Sequence, residues 1–237
     1  MTGRASRTGT TGRQACSNRR QGNPMSDTLR TILESGVVAV IRSDVSAGLL
    51  EGARALAAGG VRAIEVTMTT PGAVEAIAAL AAESRGEFVV GAGTVLDADA
   101  ARRVIDAGAE FLVAPNVDGE MIGVAKQAGK VVCPGALTPT EIWTAWQAGA
   151  DLVKVFPVSC VGGPAYIKAI RAPLPQVRLM AVGGVEASTA ASYIAAGAAA
   201  VGLGHSLINA QLIKQAAWNR ITQTARQCVE AVARARK

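Results

Sequence analysis

Two short apolar runs each carry a single ionisable side chain where a buried strand would ordinarily carry none. The first is Asp151-Leu152-Val153-Lys154-Val155-Phe156-Pro157. Strand periodicity puts Leu152, Lys154 and Phe156 on one face, with Val153 and Val155 on the other. In a parallel strand covered on both faces, Lys154 points inward. Burying an ammonium without a partner is costly, and the common escape is discharge to the neutral amine. A neutral amine in an apolar site can attack a carbonyl and form a Schiff base. The plainer alternative is a lysine at a strand end whose ammonium reaches solvent or an acid such as Glu65. The second run is Ala63-Ile64-Glu65-Val66-Thr67. Its parity places Ala63, Glu65 and Thr67 on one face. A carboxylate sharing a cavity with Lys154 could move protons during Schiff-base formation and carbon–carbon cleavage. It could equally form a structural ion pair with Lys154 or Arg42, and such a pair would tune both groups.

The elements that must position these residues are legible around them. From Asp27 onward, short apolar runs alternate with alanine-rich helical stretches. Helix stops recur at Ala58-Gly59-Gly60, Ala107-Gly108-Ala109, Ala128-Gly129, Ala148-Gly149-Ala150 and Ala196-Gly197-Ala198, where glycine supplies a left-handed turn before the next strand. This recurrence is a repeat signal. Strands are expected at Val37–Ile41, Arg62–Thr67, Phe88–Gly93, Glu110–Ala114, Lys130–Pro134, Asp151–Phe156, Val177–Val182 and Ala199–Gly202. Helices are expected near 46–58, 71–84, 97–107, 117–128, 138–148, 162–171 and 186–196. A further helix over Thr28–Ser35 precedes the first strand, and a long one runs from about Ser206 to Ala233. Eight strands each followed by a helix read as an α/β fold, a (β/α)₈ TIM barrel with an N-terminal helix and an extended C-terminal helix. The rival is a doubly wound sheet. It would need a glycine-rich dinucleotide loop after the first strand, and Ile41-Arg42-Ser43-Asp44 is not one.

In such a barrel the active site forms where the strands end. Polar residues and glycines gather at those ends here. Arg42 follows strand one, Glu65 and Thr67 end strand two, and Gly91-Ala92-Gly93-Thr94 ends strand three. Pro115 and Asn116 follow strand four, Pro134 ends strand five, and Lys154 and Phe156 lie on strand six. Gly183-Gly184 ends strand seven, and Gly204-His205-Ser206 follows strand eight. Two consecutive glycine loops that open onto helices near Glu186 and Ser206 could hold a phosphate through backbone N–H groups and the helix dipole. A single Gly-Gly pair is more often only a turn. Arg42, the one arginine directly after a strand, suits a substrate carboxylate, or else a surface salt bridge. Trp143 and Trp146 are expected in packing or subunit contact, Cys133 and Cys160 in packing. The tail helix, apolar at Leu212, Ala216, Ile221, Cys228 and Val232, is expected to dock on the barrel or a neighbour rather than on a membrane.

Composition narrows the function classes. The 237 residues are 50% hydrophobic and 18% charged, enough for a sizeable core. No apolar run is long enough to span a bilayer, and none near the start reads as a secretory signal. The net charge of +6 sits at the ends. Residues 1–24 hold Arg4, Arg7, Arg13, Arg19 and Arg20 with no acid, the chain from Lys214 onward is basic again, and the body between is net acidic. With no basic stripe on that body, nucleic acid is not the expected partner. Cys16, Cys133, Cys160 and Cys228 form no C-x-x-C pair, which fits a reduced, cytoplasmic setting. His205 is the only histidine, so a multi-histidine metal site is excluded; an all-carboxylate magnesium site stays open but has no motif behind it, and no metal or cofactor is expected. Residues 1–24 read as a disordered extension before a single domain over 25–237. Met25-Ser26-Asp27 resembles a natural start, and a transit peptide is the lesser reading of the arginine-rich segment.

The motifs Val40-Ile41-Arg42, Glu65-Val66-Thr67, Gly91-Ala92-Gly93-Thr94-Val95-Leu96, Val153-Lys154-Val155-Phe156-Pro157 and Gly183-Gly184-Val185 resemble those of the 2-keto-3-deoxy-6-phosphogluconate (KDPG) and 4-hydroxy-2-oxoglutarate (KHG) aldolases. The resemblance runs in order over about residues 28–210. It implies a metal-free class I aldolase of the Entner–Doudoroff type, a homotrimer that cleaves a phosphorylated keto acid to pyruvate and an aldehyde. It also implies that Lys154 forms the Schiff base and Glu65 is the acid and base. Arg42 and Thr94, with Thr67, Pro115 and Phe156 around them, would hold the pyruvate portion. Gly183, Gly184, Gly204, His205 and Ser206 would hold the 6-phosphate. Three positions depart from the family pattern. Thr69 stands where many members have arginine, Asn116 where a glycine is frequent, and His205 at the phosphate-loop serine, with Ser206 one place later. The rival functions are a phosphate-binding barrel isomerase or synthase without a covalent lysine, and a catalytically idle assembly protein, which would be expected to have lost Lys154 or Glu65.

Overall fold

A computed structural model describes residues 25–44 and 47–236. The extension expected over residues 1–24 lies outside the described residues. The strands are β1 (Val37–Ile41), β2 (Ala63–Thr67), β3 (Val89–Gly93), β4 (Phe111–Val113), β5 (Val131–Cys133), β6 (Gly135–Ala136), β7 (Val153–Val155), β8 (Leu179–Val182) and β9 (Ala200–Leu203). All pair in parallel, in the order β5-β4-β3-β2-β1-β9-β8-β7-β6. The two ends of that order, β5 and β6, are one chain segment split at Pro134. Proline has no N–H to give the ladder. Its carbonyl still accepts from Lys154 N at 2.9 Å, and that of Val132 accepts from Asp151 N at 3.0 Å. The sheet therefore closes on itself as an eight-stave barrel, and the strand expected over Lys130–Pro134 is its interrupted stave.

Alternation along the strands sorts the apolar residues into two cores. The outward set packs beneath the helices. The inward set includes Val38, Ala63, Phe111, Val131, Cys133, Leu152, Met180 and Ala200 and fills one end of the barrel. Helix α1 (Asp27–Ser35), capped by the Ser26 hydroxyl accepting from Leu29 N, closes that end with Leu29 and Ile32. The helices between the strands are α2 (Leu49–Ala58), α3 (Ala73–Glu83), α4 (Ala98–Asp106), α5 (Gly119–Gln127), α6 (Pro139–Gln147), α7 (Pro164–Arg171) and α8 (Ala190–Ala195). The expected tryptophan packing holds for Trp146, which is buried with the Arg178 guanidinium 5.8 Å from its ring; Trp143 is partly exposed. Cys133 is buried, but Cys160 is exposed, against the expectation of packing. A 3₁₀ turn over Val158–Val161 carries it outward.

The single tail helix expected from Ser206 to Ala233 is two helices, α9 (Ala210–Lys214) and α10 (Trp218–Ala235). Their link holds Ala216 at φ 49, a left-handed backbone no α-helix can continue through. Ala216 is accordingly exposed, while Leu212, Ile221, Cys228 and Val232 are buried as expected. Helix α10 docks where Gly59 lets the backbones meet: a Cβ there would lie 2.6 Å from the Thr222 carbonyl oxygen. Thr222 Oγ1 also donates to the Ala55 carbonyl at 2.9 Å. At its far end, Arg236 donates to the carbonyls of Glu34 and Ala199, tying the tail to the closed end of the barrel.

Gly36, at φ 68, makes that tie possible, since a Cβ would lie 2.2 Å from Arg236 Nη2. Gly36→Ala should combine left-handed strain of about 1–2 kcal/mol with loss of the arginine contacts. At about 2–4 °C per kcal/mol for a chain of this size, thermal unfolding should come several degrees early. Arg236→Ala, which loses only the contacts, should fall less.

Candidate active site

The opposite end of the barrel interior is open. A cavity of about 460 Å³ is lined there by Arg42, Glu65, Lys154, Phe156, Gly183, Gly184, Gly204, His205 and Ser206, all expected site residues. Thr67, Thr94 and Pro115 are not in the cavity wall. The Thr67 hydroxyl shares hydrogen bonds with Thr69 at 3.0 Å and Thr70 at 3.4 Å. Pro115 backs onto Gly135, where a Cβ would come within 2.3 Å of its carbonyl group. Thr94 turns away from β3 at φ 58. Sequence reasoning missed Val40, Val182, Ile208, Glu186, Asn209 and Gln211 in the wall. Val40 could have been found, because it alternates with Val38 and precedes Arg42 on the inward face. Asn209 and Gln211 carry no motif.

Lys154 and Glu65 enter the cavity from strands on different sides of the barrel, and both are nearly shut off from solvent, at 7% and 2% exposure. Lys154 Nζ lies 4.7 Å from the centroid of the Phe156 ring, two residues along the same inward face. That contact fixes where the amine sits and is favourable when it is charged. Glu65 occupies a space that the sequence leaves empty. A Cβ on Gly93 of the neighbouring strand would lie 1.7 Å from Glu65 Oε1. Gly91, one inward position earlier, makes the corresponding room for the Phe111 ring, 2.4 Å from where its Cβ would be. Burial pushes the Glu65 carboxyl above its ordinary value, and the charges of Lys154 and then Arg42 pull it partly back. The ion pairs within 4.0 Å among the described residues lie elsewhere, so Glu65 is influenced by Lys154 and Arg42 without being locked to either. Burial, with the charges of Asp151 and Glu65, also pushes up the Cys133 thiol in the packed half of the barrel.

The far end of the cavity is built from backbone. Gly183 and Gly184 have φ 88 and 76, and Cβ atoms there would strike Phe156 at 2.9 Å and Ser159 Oγ at 2.2 Å. Only glycine fits both the conformation and the space. The helix-dipole part of the anion expectation requires correction. The helix expected from Glu186 begins at Ala190 and has six residues, and that expected from Ser206 begins at Ala210 and has five. The N–H of Glu186 is taken by Thr189 Oγ1 at 3.1 Å and that of Ala187 by Ser206 Oγ at 3.2 Å. The chain after β8 thus turns back on side-chain hydroxyls before its helix begins, whereas the start of the second helix, Asn209 to Gln211, lies in the cavity wall. The Ser206 hydroxyl accepts in this contact and keeps its own proton to donate.

The model of the KDPG and KHG aldolase family matches residues 29–224. The 2-dehydro-3-deoxy-6-phosphogalactonate aldolase of Escherichia coli (strain K12) is 37% identical over 73% of this chain and 85% of its own length. The 2-dehydro-3-deoxy-phosphogluconate aldolase of Pseudomonas aeruginosa is 33% identical over 86% of this chain and 92% of its own. Among solved structures, the KDPG aldolase of Legionella pneumophila with pyruvate captured as a covalent carbinolamine matches with a TM-score of 0.76 at 29% identity. It covers 85% of this chain and 97% of that one.

The raised Glu65 carboxyl carries a stability consequence. The folded state holds this proton more tightly than the unfolded chain, so the stabilisation is present below the ordinary value of 4.5 and is lost as pH rises through the higher folded value. Glu65→Gln removes the buried charge. Thermal unfolding of the variant at pH 8 should exceed that of the parent, and the gap should close as pH falls towards 4.5.

Proposed function

Because the chain belongs to the family of KDPG and KHG aldolases, we propose that it is a class I aldolase whose covalent centre is Lys154. It cleaves 2-keto-3-deoxy-6-phosphogluconate to pyruvate and glyceraldehyde 3-phosphate, and more slowly 4-hydroxy-2-oxoglutarate to pyruvate and glyoxylate. The observation that supports this most directly is the pairing of a buried amine and a buried, raised carboxyl across one cavity.

The Lys154 amine adds to the C2 keto carbon, giving a carbinolamine. Loss of water, with Glu65 delivering the proton, leaves a protonated imine. Glu65, now a carboxylate, takes the C4 hydroxyl proton. The C3–C4 bond breaks, its electron pair moves into the imine, and the aldehyde leaves behind an enamine. Protonation at C3 and addition of water release pyruvate and the free amine. A carboxyl held above its ordinary value is better suited than a free one to both giving and taking this proton. Arg42 faces the substrate carboxylate, and Gly183, Gly184 and the Gly204–Ser206 loop face the phosphate. A phosphate held there would use remote binding energy to orient C2 against the amine.

The same reading carries a homotrimer working in the cytoplasm. Leu96, 51% exposed, and Trp143, 37% exposed, are apolar side chains that a neighbouring copy would cover. Among the described residues no helix is long and apolar enough to cross a membrane.

Incubation with pyruvate and borohydride, then digestion, should place the reduced adduct on the peptide holding Lys154. Active enzyme without that adduct would refute the imine. Glu65→Gln should lower turnover by about 10²–10⁴-fold, the usual cost of a lost general base. Comparison of kcat/KM should favour the phosphorylated six-carbon acid over 4-hydroxy-2-oxoglutarate. Equal values would make the protein a general hydroxy-oxo-acid aldolase.

A further inference from the structure

Arg42 leaves the barrel on a turn that is held from two sides. On one side, Ser43 N donates to Thr70 Oγ1 at 3.2 Å. On the other, Lys214 Nζ donates to Asp44 Oδ2 at 2.6 Å, joining residues 170 apart in sequence. Lys214 is the last residue of α9, and Ile208 to Gln211, at the start of that helix, stand in the cavity wall with Arg42. The ion pair therefore ties the turn that presents Arg42 to another segment of the same wall. Glycine lets α9 come close enough. A Cβ on Gly48, at φ 79, would lie 2.9 Å from Ile213 Cγ2, and one on Gly52 would lie 2.8 Å from Ile208 Cδ1. The start of α9 is fixed as well. Asn209 Oδ1 accepts from Leu212 N at 2.9 Å, and Asn209 Nδ2 donates to the His205 carbonyl at 3.0 Å. Lys214 thus reaches Asp44 from a helix that is itself anchored.

The two side chains are 53% and 61% exposed, and exposed pairs add little to stability. The hydrogen bond from Lys214 still holds the Asp44 carboxyl below its ordinary value. What such a pair can do is fix a position. Asp44 stands two residues from Arg42, and the Arg42 guanidinium makes no ion pair with a described residue. A guanidinium on a loose turn would have to be ordered when substrate arrives, and that cost falls on binding.

We propose that Lys214 is a positioning residue: by clasping Asp44 it holds the turn after β1 so that Arg42 is already placed for the substrate carboxylate. This rests on the reading of Arg42 given above and adds a residue that is itself outside the cavity wall. Ordering before binding favours the bound substrate and the transition state alike, so the effect belongs in KM rather than kcat. It is the same for phosphorylated and unphosphorylated acids, since each carries the carboxylate.

The test compares kcat and KM of the parent, Lys214→Gln, Lys214→Arg and Asp44→Asn at low ionic strength. Lys214→Gln and Asp44→Asn should each raise KM about two- to fivefold at unchanged kcat, the range open to an exposed pair. Lys214→Arg should stay near the parent. The double variant Asp44→Asn/Lys214→Gln should be no worse than either single change, and Lys214→Gln made on top of Arg42→Gln should raise KM no further. An unchanged KM in Lys214→Gln, a loss confined to kcat, or a KM loss that persists undiminished without Arg42 would overturn the proposal. If Arg42→Gln leaves KM at the parent value, the reading of Arg42 has failed, and the clasp with it. If the parent cleaves neither substrate and traps no pyruvate, the aldolase reading has failed instead. Calorimetric titration with pyruvate still tests the clasp in that case, and equal affinities for parent and Lys214→Gln would overturn it.

Discussion

The structure depends on keeping a carboxylate inside a barrel where water scarcely reaches. Glu65 needs both room and opposing charge, and each comes from a different part of the chain. Room comes from β3, where Gly93 supplies no side chain and the carboxylate occupies the space one would fill. Charge comes from Lys154 on β7 and Arg42 after β1, which offset part of the desolvation cost without bonding to the acid. A direct ion pair would have been a more comfortable way to bury both groups and a poorer way to use them. The amine must be free to meet a carbonyl and the acid to exchange protons.

This constraint explains why the barrel is built in two halves. One half is filled by inward side chains and closed by Leu29 and Ile32 of α1. The other is emptied by inward glycines at 91, 93 and 202. Gly91 belongs to both halves, because the Phe111 ring that roofs the packed core lies where its side chain would be. The cavity is therefore a blind pocket with an apolar floor. Burial at that floor is what raises the Glu65 carboxyl. Closure through the stave split at Pro134 matters for the same reason. An open seam between β5 and β7 would admit solvent beside Lys154, and the hydrogen bond from Lys154 N to the Pro134 carbonyl spans that gap.

Most of the scaffold was legible because its signals are local. Short apolar runs bounded by glycine stops gave each strand to within two residues. Period-two parity alone put Glu65, Lys154 and Phe156 on the inward face. What the sequence hid depends on geometry between segments. Nothing in the amphipathic pattern of the tail marks Ala216 as a break, since alanine favours continuing a helix. The stretch after Gly184 has the composition of a helix start, yet the Thr189 and Ser206 hydroxyls take the N–H groups of Glu186 and Ala187 and delay the helix to Ala190. Thr67 has the right parity for the site, but its hydroxyl is engaged by its neighbours Thr69 and Thr70. Parity predicts direction and is silent about what a side chain meets when it arrives.

The threonines at the end of β2 show how one departure from the family pattern is absorbed. With a threonine, Thr69, at this turn, Arg42 is the only guanidinium in the cavity wall among the described residues. The backbone beyond it is anchored by Ser43 N donating to Thr70 Oγ1 at 3.2 Å, and Thr70 is linked in turn to Thr67 on β2. The strand that carries Glu65 thus also holds the turn that presents Arg42. Their charges are coupled as well as their backbones, since Arg42 lowers the proton affinity of the acid. In the proposed mechanism a substrate carboxylate that pairs with Arg42 screens this pull, and Glu65 then holds a proton more tightly in the occupied site than in the empty one. The acid that must protonate a departing hydroxyl at the carbinolamine would be strengthened in its hold on that proton by the arrival of the substrate itself. A second arginine at position 69 would dilute the effect, because one carboxylate could not neutralise both.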